Sequence, residues 1–192
     1  MRCSCSFSAD AEEYLQVYYN ILDEMIRGMT EVCLTDSVSY NFIVQMIPHH
    51  EAAIRMSENI LSYTTNETLR DIASGIITEQ TQSIEDMRRA MACCETYRNG
   101  QECLCSFQNE IDRILHVMFD RMQHACATNR LNCDFMWEMI PHHQGAIQMS
   151  ALTLRYDICP DLIPILEAIL VSQKRGVRRM RELLCELGCG SR

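Results

Sequence analysis

A twelve-residue segment of this chain occurs twice, and the two copies begin 93 positions apart. Residues 46–57 read MIPHHEAAIRMS and residues 139–150 read MIPHHQGAIQMS. Matched residues continue on both sides of the segment at the same offset, so the repeat covers most of the chain. A repeat of this length means that one structural unit is used twice. We therefore predict two tandem units, residues 1–98 and residues 99–192, that pack together as one body.

Each unit is predicted to contain three amphipathic helices. Apolar residues in the first unit recur every three or four positions, which is the spacing of a helix with one buried face. The first of these faces contains Tyr14, Tyr18, Leu22, Met25 and Met29. Asp36 or Ser37 can cap the second helix, and Asn66 can cap the third.

The second unit repeats this pattern over roughly 107–127, 134–155 and 161–187. Short connections favour antiparallel neighbours, and no alternating run of apolar residues indicates a strand. Pro48 and Pro141 fall within the middle helices, where a proline either kinks the helix or begins a new one. The predicted fold is all-α, a ferritin-like antiparallel helical bundle built from two pseudo-symmetric three-helix repeats.

The composition argues against several classes of function. A net charge of −9 disfavours nucleic acid as a partner, and no apolar run approaches the ~18 residues of a membrane span. The sequence contains no nucleophile–base pairing, phosphate loop or pair of acids of the kind that enzymes use. We therefore do not expect an enzyme. The first residues contain no hydrophobic segment typical of a signal peptide. We therefore expect synthesis in the cytoplasm, with spore association or release without a secretion signal as possible later fates.

The repeated histidine pairs fall on apolar helix faces. His49 shares its face with Met46 and Met56, and His50 has isoleucines as its helical neighbours. A buried polar group without a partner costs about 1–3 kcal/mol, so these imidazoles need compensation. Glutamine occurs at the same place on the third helix of each unit, and we expect it to orient an imidazole by hydrogen bonding. Two interpretations stay open: core histidines satisfied by glutamine and backbone, or metal ligands.

The ligand types favour a soft metal ion. Thioether and imidazole together suit Cu(I), with Ag(I) as a chemical mimic. Di-iron sites in helical bundles instead use Glu-x-x-His, and methionine takes the glutamate's place in both copies. The predicted ligands are Met46, His49, His50, Met56, Met139, His142, His143 and Met149, supported by Gln80 and Gln173.

The motif resembles a known bacterial family. The pattern Phe-x-x-x-Met-x-x-His-His-x-x-Ala-x-x-Met is followed by a helix reading Gln-x-x-x-Ile/Val-x-x-Met, and both copies contain it. This combination is similar to the domain of unknown function 305, which has a ferritin-like fold related to the four-helix bundle. Asn41 replaces the aspartate common in that family, whereas Asp134 retains it. Some members are implicated in copper or silver binding, so the resemblance implies metal handling through the His-His positions.

The twelve cysteines are predicted to gather at the two ends of the bundle. An up-and-down trace through the helices places at one end Cys3, Cys5, Cys126, Cys133, Cys185 and Cys189. The same trace places at the other end Cys33, Cys93, Cys94, Cys103, Cys105 and Cys159. Three interpretations stay open: disulfides within one end of the chain, thiolate clusters that bind Zn(II) or Cu(I), and disulfides between chains.

Two functions follow from these patterns. The first is binding or sequestration of a soft metal, Cu(I), by two Met/His sites. The second is a structural role, in which self-association and disulfide cross-links build a spore layer or a filament. The first makes the histidine pairs functional, whereas the second leaves them as a feature of the core.

Overall fold

The computed structural model describes residues 6–189, and this part of the chain contains no β-strand. Its helices are α1 (Ala9–Thr30), α2 (Val38–Leu61), α3 (Glu67–Thr96), α4 (Gln101–Gln123), α5 (Leu131–Thr153) and α6 (Ile163–Glu186). A short 3-10 turn, Pro160–Leu162, precedes α6. Within residues 6–189, no helix has both the length and the apolar character that crossing a membrane requires. The prediction of an all-α fold is confirmed.

The six helices form three layers of two, with α2 and α5 in the middle layer. Helix α2 contacts α1 and α3, and α5 makes the equivalent contacts with α4 and α6. The two repeats meet where α2 packs on α5, where α3 lies beside α6, and where α1 approaches α4. The prediction of a bundle made from two pseudo-symmetric three-helix repeats is confirmed.

The antiparallel arrangement gives the molecule two ends. We call the end where α1, α3 and α5 begin the first pole, and the end where α2, α4 and α6 begin the second pole. At the first pole, the segment just before α1 lies beside the second repeat. The Ser8 N–H donates a hydrogen bond of 2.8 Å to Asn129 Oδ1. At the second pole, Asn99 in the linker donates through its backbone to Asp36 O and through its side chain to Asp157 O. These bonds join the two repeats at both ends.

Polar side chains fix where several helices begin. Ser37 accepts a hydrogen bond from the Tyr40 N–H and Asn66 accepts one from the Leu69 N–H, so both predicted caps are present. Helix α4 begins at Gln101 rather than near residue 107, where its apolar stripe starts. Its first turn is mostly exposed and lacks an apolar stripe, which is why the spacing of apolar residues did not predict it.

Both middle helices continue through their prolines. Helix α2 includes Pro48 and α5 includes Pro141, so neither helix starts afresh at that residue. Gly28 on α1 faces the first proline ring, and a Cβ at this glycine would lie 2.9 Å from Pro48 Cβ. The absence of a side chain at Gly28 therefore allows α1 to lie against the proline in α2.

Candidate functional site

The centre of the molecule holds two stacked imidazole rings, one from each repeat. The ring centroids of His49 and His142 are 3.6 Å apart and the ring planes differ by 30°. His49 Nε2 lies 3.2 Å from the carbonyl oxygen of His142, and His142 Nε2 lies 3.0 Å from that of His49. A carbonyl oxygen only accepts hydrogen bonds, so each Nε2 is the protonated nitrogen. The lone pair of each ring is therefore on Nδ1.

The outer histidine of each pair has a different environment in the two repeats. His50 Nε2 lies 3.1 Å from Ser83 Oγ on α3. Gly176 occupies the equivalent position on α6, and a Cβ there would lie 2.8 Å from His143 Cδ2. A narrow cleft of about 20 Å³, lined by Gly75 and Gly176, reaches His143 from the surface. The first outer imidazole is therefore hydrogen-bonded, whereas the second is buried directly against the backbone of Gly176.

Burial keeps all four imidazoles neutral. It lowers the pKa of His50 to about 3 and the pKa of His142 to about 4. Burial also lowers the pKa of His49 and of His143 well below the usual range, and the neighbouring imidazoles lower them further. Neutral imidazole is the form that binds metal. At neutral pH, therefore, no proton has to leave these rings before an ion binds.

Several buried polar atoms near the histidines have no hydrogen-bond partner among the described residues. These atoms include Nδ1 of all four histidines, both amide atoms of Gln80 and Oε1 of Gln173. The expected hydrogen bond from Gln80 to an imidazole is therefore absent, and Ser83 contacts His50 instead. Because three residues are nearly one helical turn, Ser83 lies on the same side of α3 as Gln80. Each unpaired buried atom costs about 1–3 kcal/mol, so the cluster is suited to a ligand that accepts the lone pairs of the imidazole nitrogens and amide oxygens.

The predicted thioether ligands lie in the same core. Met46, Met56, Met139 and Met149 are each at most 2% exposed. Met46 and Met139 precede the first histidine of their pair by three residues, so they lie on the same face of α2 and α5. Each repeat therefore brings two sulfurs and two imidazoles onto one buried helix.

A buried carboxyl group lies on α5 close to the second histidine pair. Glu138 Oε2 accepts a hydrogen bond of 2.5 Å from the Tyr14 hydroxyl on α1. Burial raises the pKa of Glu138 to about 8. Its counterpart is Gln45, whose amide donates to the Met29 carbonyl oxygen. The sequence showed that Glu138 lacks an acidic counterpart, but its neighbour Tyr14 became evident only from the packing of α1 on the second repeat.

Asp134 and its counterpart Asn41 have a structural role in this fold. Asp134 Oδ2 accepts a hydrogen bond from the Thr128 N–H, and Asn41 Oδ1 accepts the equivalent bond from the Thr35 N–H. Each side chain thereby closes the loop before its helix. An amide oxygen accepts this hydrogen bond as an aspartate oxygen does. Asparagine can therefore take the place of aspartate at position 41.

The cysteines described by the structure divide between the two poles. Cys133 at the start of α5 forms a disulfide with Cys189 after the end of α6, and both residues belong to the first pole. Cys3 and Cys5 lie outside the described residues. The free thiols among residues 6–189 are Cys33, Cys93, Cys94, Cys103, Cys105, Cys126, Cys159 and Cys185. Only Cys126 and Cys185 of this group belong to the first pole.

At the second pole, two thiols meet a carboxylate. Cys93 Sγ and Cys159 Sγ are 3.6 Å apart. With Asp161 they form the one group in residues 6–189 in which three His, Cys, Asp or Glu ligand atoms lie within 4.8 Å of one another. The four core histidines do not form such a group. The sequence did not predict Asp161, because only the fold brings the turn before α6 against the end of α3.

Comparison with known proteins places the chain in a family. The family model described as "Domain of unknown function (DUF305)" matches residues 25–91 and residues 39–184. The chain belongs to the DUF305 family. The two overlapping matches agree with a repeated unit. None of the curated proteins matches this DUF305 chain.

A solved structure supports the fold. The crystal structure of a DUF305 fragment from Deinococcus radiodurans is similar to this chain, with a TM-score of 0.57 and 19% sequence identity. The similarity covers 78% of this chain and 96% of that fragment. At this level of identity, the similarity shows a shared fold.

Proposed function

We propose that this protein binds a soft monovalent metal ion, Cu(I), at two Met/His sites in the core of the bundle. The observation that carries the proposal is the set of four unpartnered Nδ1 atoms on buried histidines. Burial lowers the pKa of each of these rings, so their lone pairs are available at neutral pH. A lone core histidine accounts for one such atom, whereas two such atoms occur in each repeat.

The protonation of the central rings assigns the ligating atom. The Nε2 protons of His49 and His142 are used in hydrogen bonds to carbonyl oxygens, so Nδ1 is the atom that would bind an ion. The buried thioethers Met46 and Met139 offer the second soft donor in each repeat. Cu(I) accepts sulfur and imidazole ligands without a carboxylate. A hard cation would find too few oxygens here.

The narrow cleft beside Gly75 and Gly176 supports the proposal, because it offers a route from the surface to His143. Arg175 and Arg179 also line this cleft. Arg175 is paired with Glu79 over 2.6 Å, so Arg179, which has no ion pair among the described residues, is the charge that disfavours the free approach of a hydrated cation. We therefore expect the ion to arrive as a neutral or anionic complex, or from a carrier protein.

Metal uptake tests the proposal directly. After alkylation of accessible thiols, the full chain should take up about two Ag(I) or Cu(I) ions at the core sites. The double variant His49→Ala with His142→Ala should lose both ions. The matched control is His116→Ala with His124→Ala, because these histidines are exposed and lie outside the motif. Equal uptake by the two double variants would contradict the proposal.

A second double variant tests the thioethers without disturbing the fold. Met46→Leu with Met139→Leu conserves side-chain volume, and such exchanges usually cost less than about 1.5 kcal/mol. Helix content should stay unchanged while affinity for Ag(I) falls. If this double variant folds and keeps its affinity for Ag(I), the thioethers of Met46 and Met139 are not ligands.

Exposed thiols at both poles favour the alternative function, a disulfide-linked assembly. Cys33 and Cys105 are exposed at the second pole, and Cys126 and Cys185 are exposed at the first. Thiols at opposite ends allow chains to join end to end. Oxidised protein should then give a ladder on non-reducing gels that collapses on reduction, and replacing these four cysteines by serine should shorten it. A protein that stays monomeric under oxidising conditions would exclude this function.

A further inference from the structure

A second group of potential metal ligands lies at the second pole, separate from the histidine core. Cys93 belongs to the last turns of α3 in the first repeat, whereas Cys159 and Asp161 belong to the turn before α6 in the second repeat. Their ligand atoms all lie within 4.8 Å of one another. Cys94, the neighbour of Cys93 on α3, is buried and lies outside this group. Two sulfurs and one carboxylate therefore meet where the repeats join.

Hydrogen bonds hold both segments of this thiol cluster in place. The Cys159 N–H donates to Ser39 Oγ over 2.9 Å, and the Ser37 hydroxyl donates to the Cys94 carbonyl oxygen over 2.6 Å. Both serines lie at the start of α2. Ligands fixed in this way lose little further conformational freedom when an ion binds.

We propose that Cys93, Cys159 and Asp161 bind one Zn(II) ion, with a water molecule as the fourth ligand. Sulfur with a carboxylate oxygen in a four-coordinate set suits Zn(II), whereas Cu(I) takes sulfur without the carboxylate. On binding, each coordinating thiol releases its proton to solvent and becomes a thiolate. The ion would join the end of the first repeat to the second repeat.

The zinc site belongs to one pole alone. Positions 93 residues away from the three ligands hold Glu186, Asn66 and Thr68, none of which is a cysteine. The repeat therefore does not account for the thiol cluster. A disulfide between Cys93 and Cys159 is the competing fate, because their sulfurs are only 3.6 Å apart.

Cobalt substitution tests this site independently of the histidine core. Reduced full-length protein titrated with Co(II) should develop a sulfur-to-cobalt charge-transfer band, and one equivalent of Zn(II) should remove it. Cys159→Ser should abolish the band, and Asp161→Asn should weaken Co(II) affinity by at least about tenfold. Cys105→Ser is the matched control, because this exposed thiol lies at the same pole outside the cluster. It should leave the band unchanged.

Two further measurements make the outcome decisive. Zn(II) should raise the unfolding temperature of the wild type by more than it raises that of Asp161→Asn. The variant His49→Ala with His142→Ala should keep the cobalt band, so this site and the copper sites can fail separately. A charge-transfer band that survives in Cys159→Ser would overturn the proposal. So would peptide mapping that finds a Cys93–Cys159 disulfide after reduced, zinc-treated protein has been exposed to air.

Discussion

The lack of a side chain at position 176 shapes the surroundings of the second outer histidine. Gly176 lies where Ser83 lies in the first repeat, and its bare Cα faces the ring of His143. A Cβ atom at position 176 would crowd the imidazole ring of His143. Gly75, across the same cleft, faces open space, since a Cβ there would have no neighbouring atom within 4 Å.

Gly176→Ala should therefore displace His143, because the new Cβ would lie 2.8 Å from His143 Cδ2. We expect weaker Ag(I) binding at one of the two core sites, measured by calorimetric titration. Gly75→Ala is the matched control and should gain about 0.5–1 kcal/mol of stability from its better helix propensity. Identical titration curves for the two variants would show that His143 takes no part in binding.

Glu138 should make stability fall as the solution becomes alkaline. Its pKa in the folded state is about 8, above the usual value of 4.5. The folded protein therefore binds this proton more tightly than the unfolded chain does. The resulting stabilisation is complete below pH 4.5 and is lost as the pH rises through 8.

Glu138→Gln should remove this loss, because an amide has no proton to give up in this range. The free energy of unfolding of the metal-free protein, measured with urea between about pH 6.5 and 8.5, should fall in the wild type and stay nearly level in the variant. Gln45 shows that a glutamine fits the equivalent position. Parallel pH profiles for the two proteins would mean that Glu138 is ionised throughout.

At the scale of the helix, α1 and α2 depend on a close contact at a proline. A Cβ at Gly28 would lie 2.9 Å from Pro48 Cβ, and the proline ring cannot rotate away. Gly28→Ala should thus cost about 1–3 kcal/mol by overpacking, even though alanine favours a helix. Thermal unfolding, with Gly75→Ala as the control that lacks a neighbour, would reveal this difference. A stabilised Gly28→Ala would show that the two helices move apart freely.

The sequence predicted the individual helices of the first repeat better than it predicted the arrangement of the helices. The stripe headed by Tyr14 and the caps Ser37 and Asn66 identify α1, α2 and α3, because each signal is local. The layer order was not predicted. Helix α5 is buried on nearly every face, so its apolar pattern gives no direction to a neighbour.

The candidate sites divide in the same way. The histidine pairs were predicted, since both copies repeat the same local motif. Ser83 and Asp161 were not predicted, because each meets its partner only where two separate segments of the chain pack together. A local pattern identifies a ligand, but the partner of that ligand depends on the whole fold.

At the scale of the whole molecule, the disulfide fastens the first pole. Cys133 and Cys189 are separated by 56 residues, so their bond limits the freedom of the unfolded chain. Replacing both by alanine should lower the free energy of unfolding by roughly 2–4 kcal/mol. Under reducing conditions most of the difference from the wild type should disappear. Cys126→Ala, at an exposed free thiol of the same pole, is the control and should change little.

The reciprocal contact between His49 and His142 has the form of a homodimer interface, in which each copy offers the same surface to the other. The chain thus behaves as two subunits joined by a tether, and the tether keeps them at high effective concentration. The two halves of one chain can differ in sequence, whereas the two subunits of a homodimer cannot. The pairs Ser83 with Gly176 and Gln45 with Glu138 record that divergence. Any ligand that occupies both halves should consequently bind in two unequal steps.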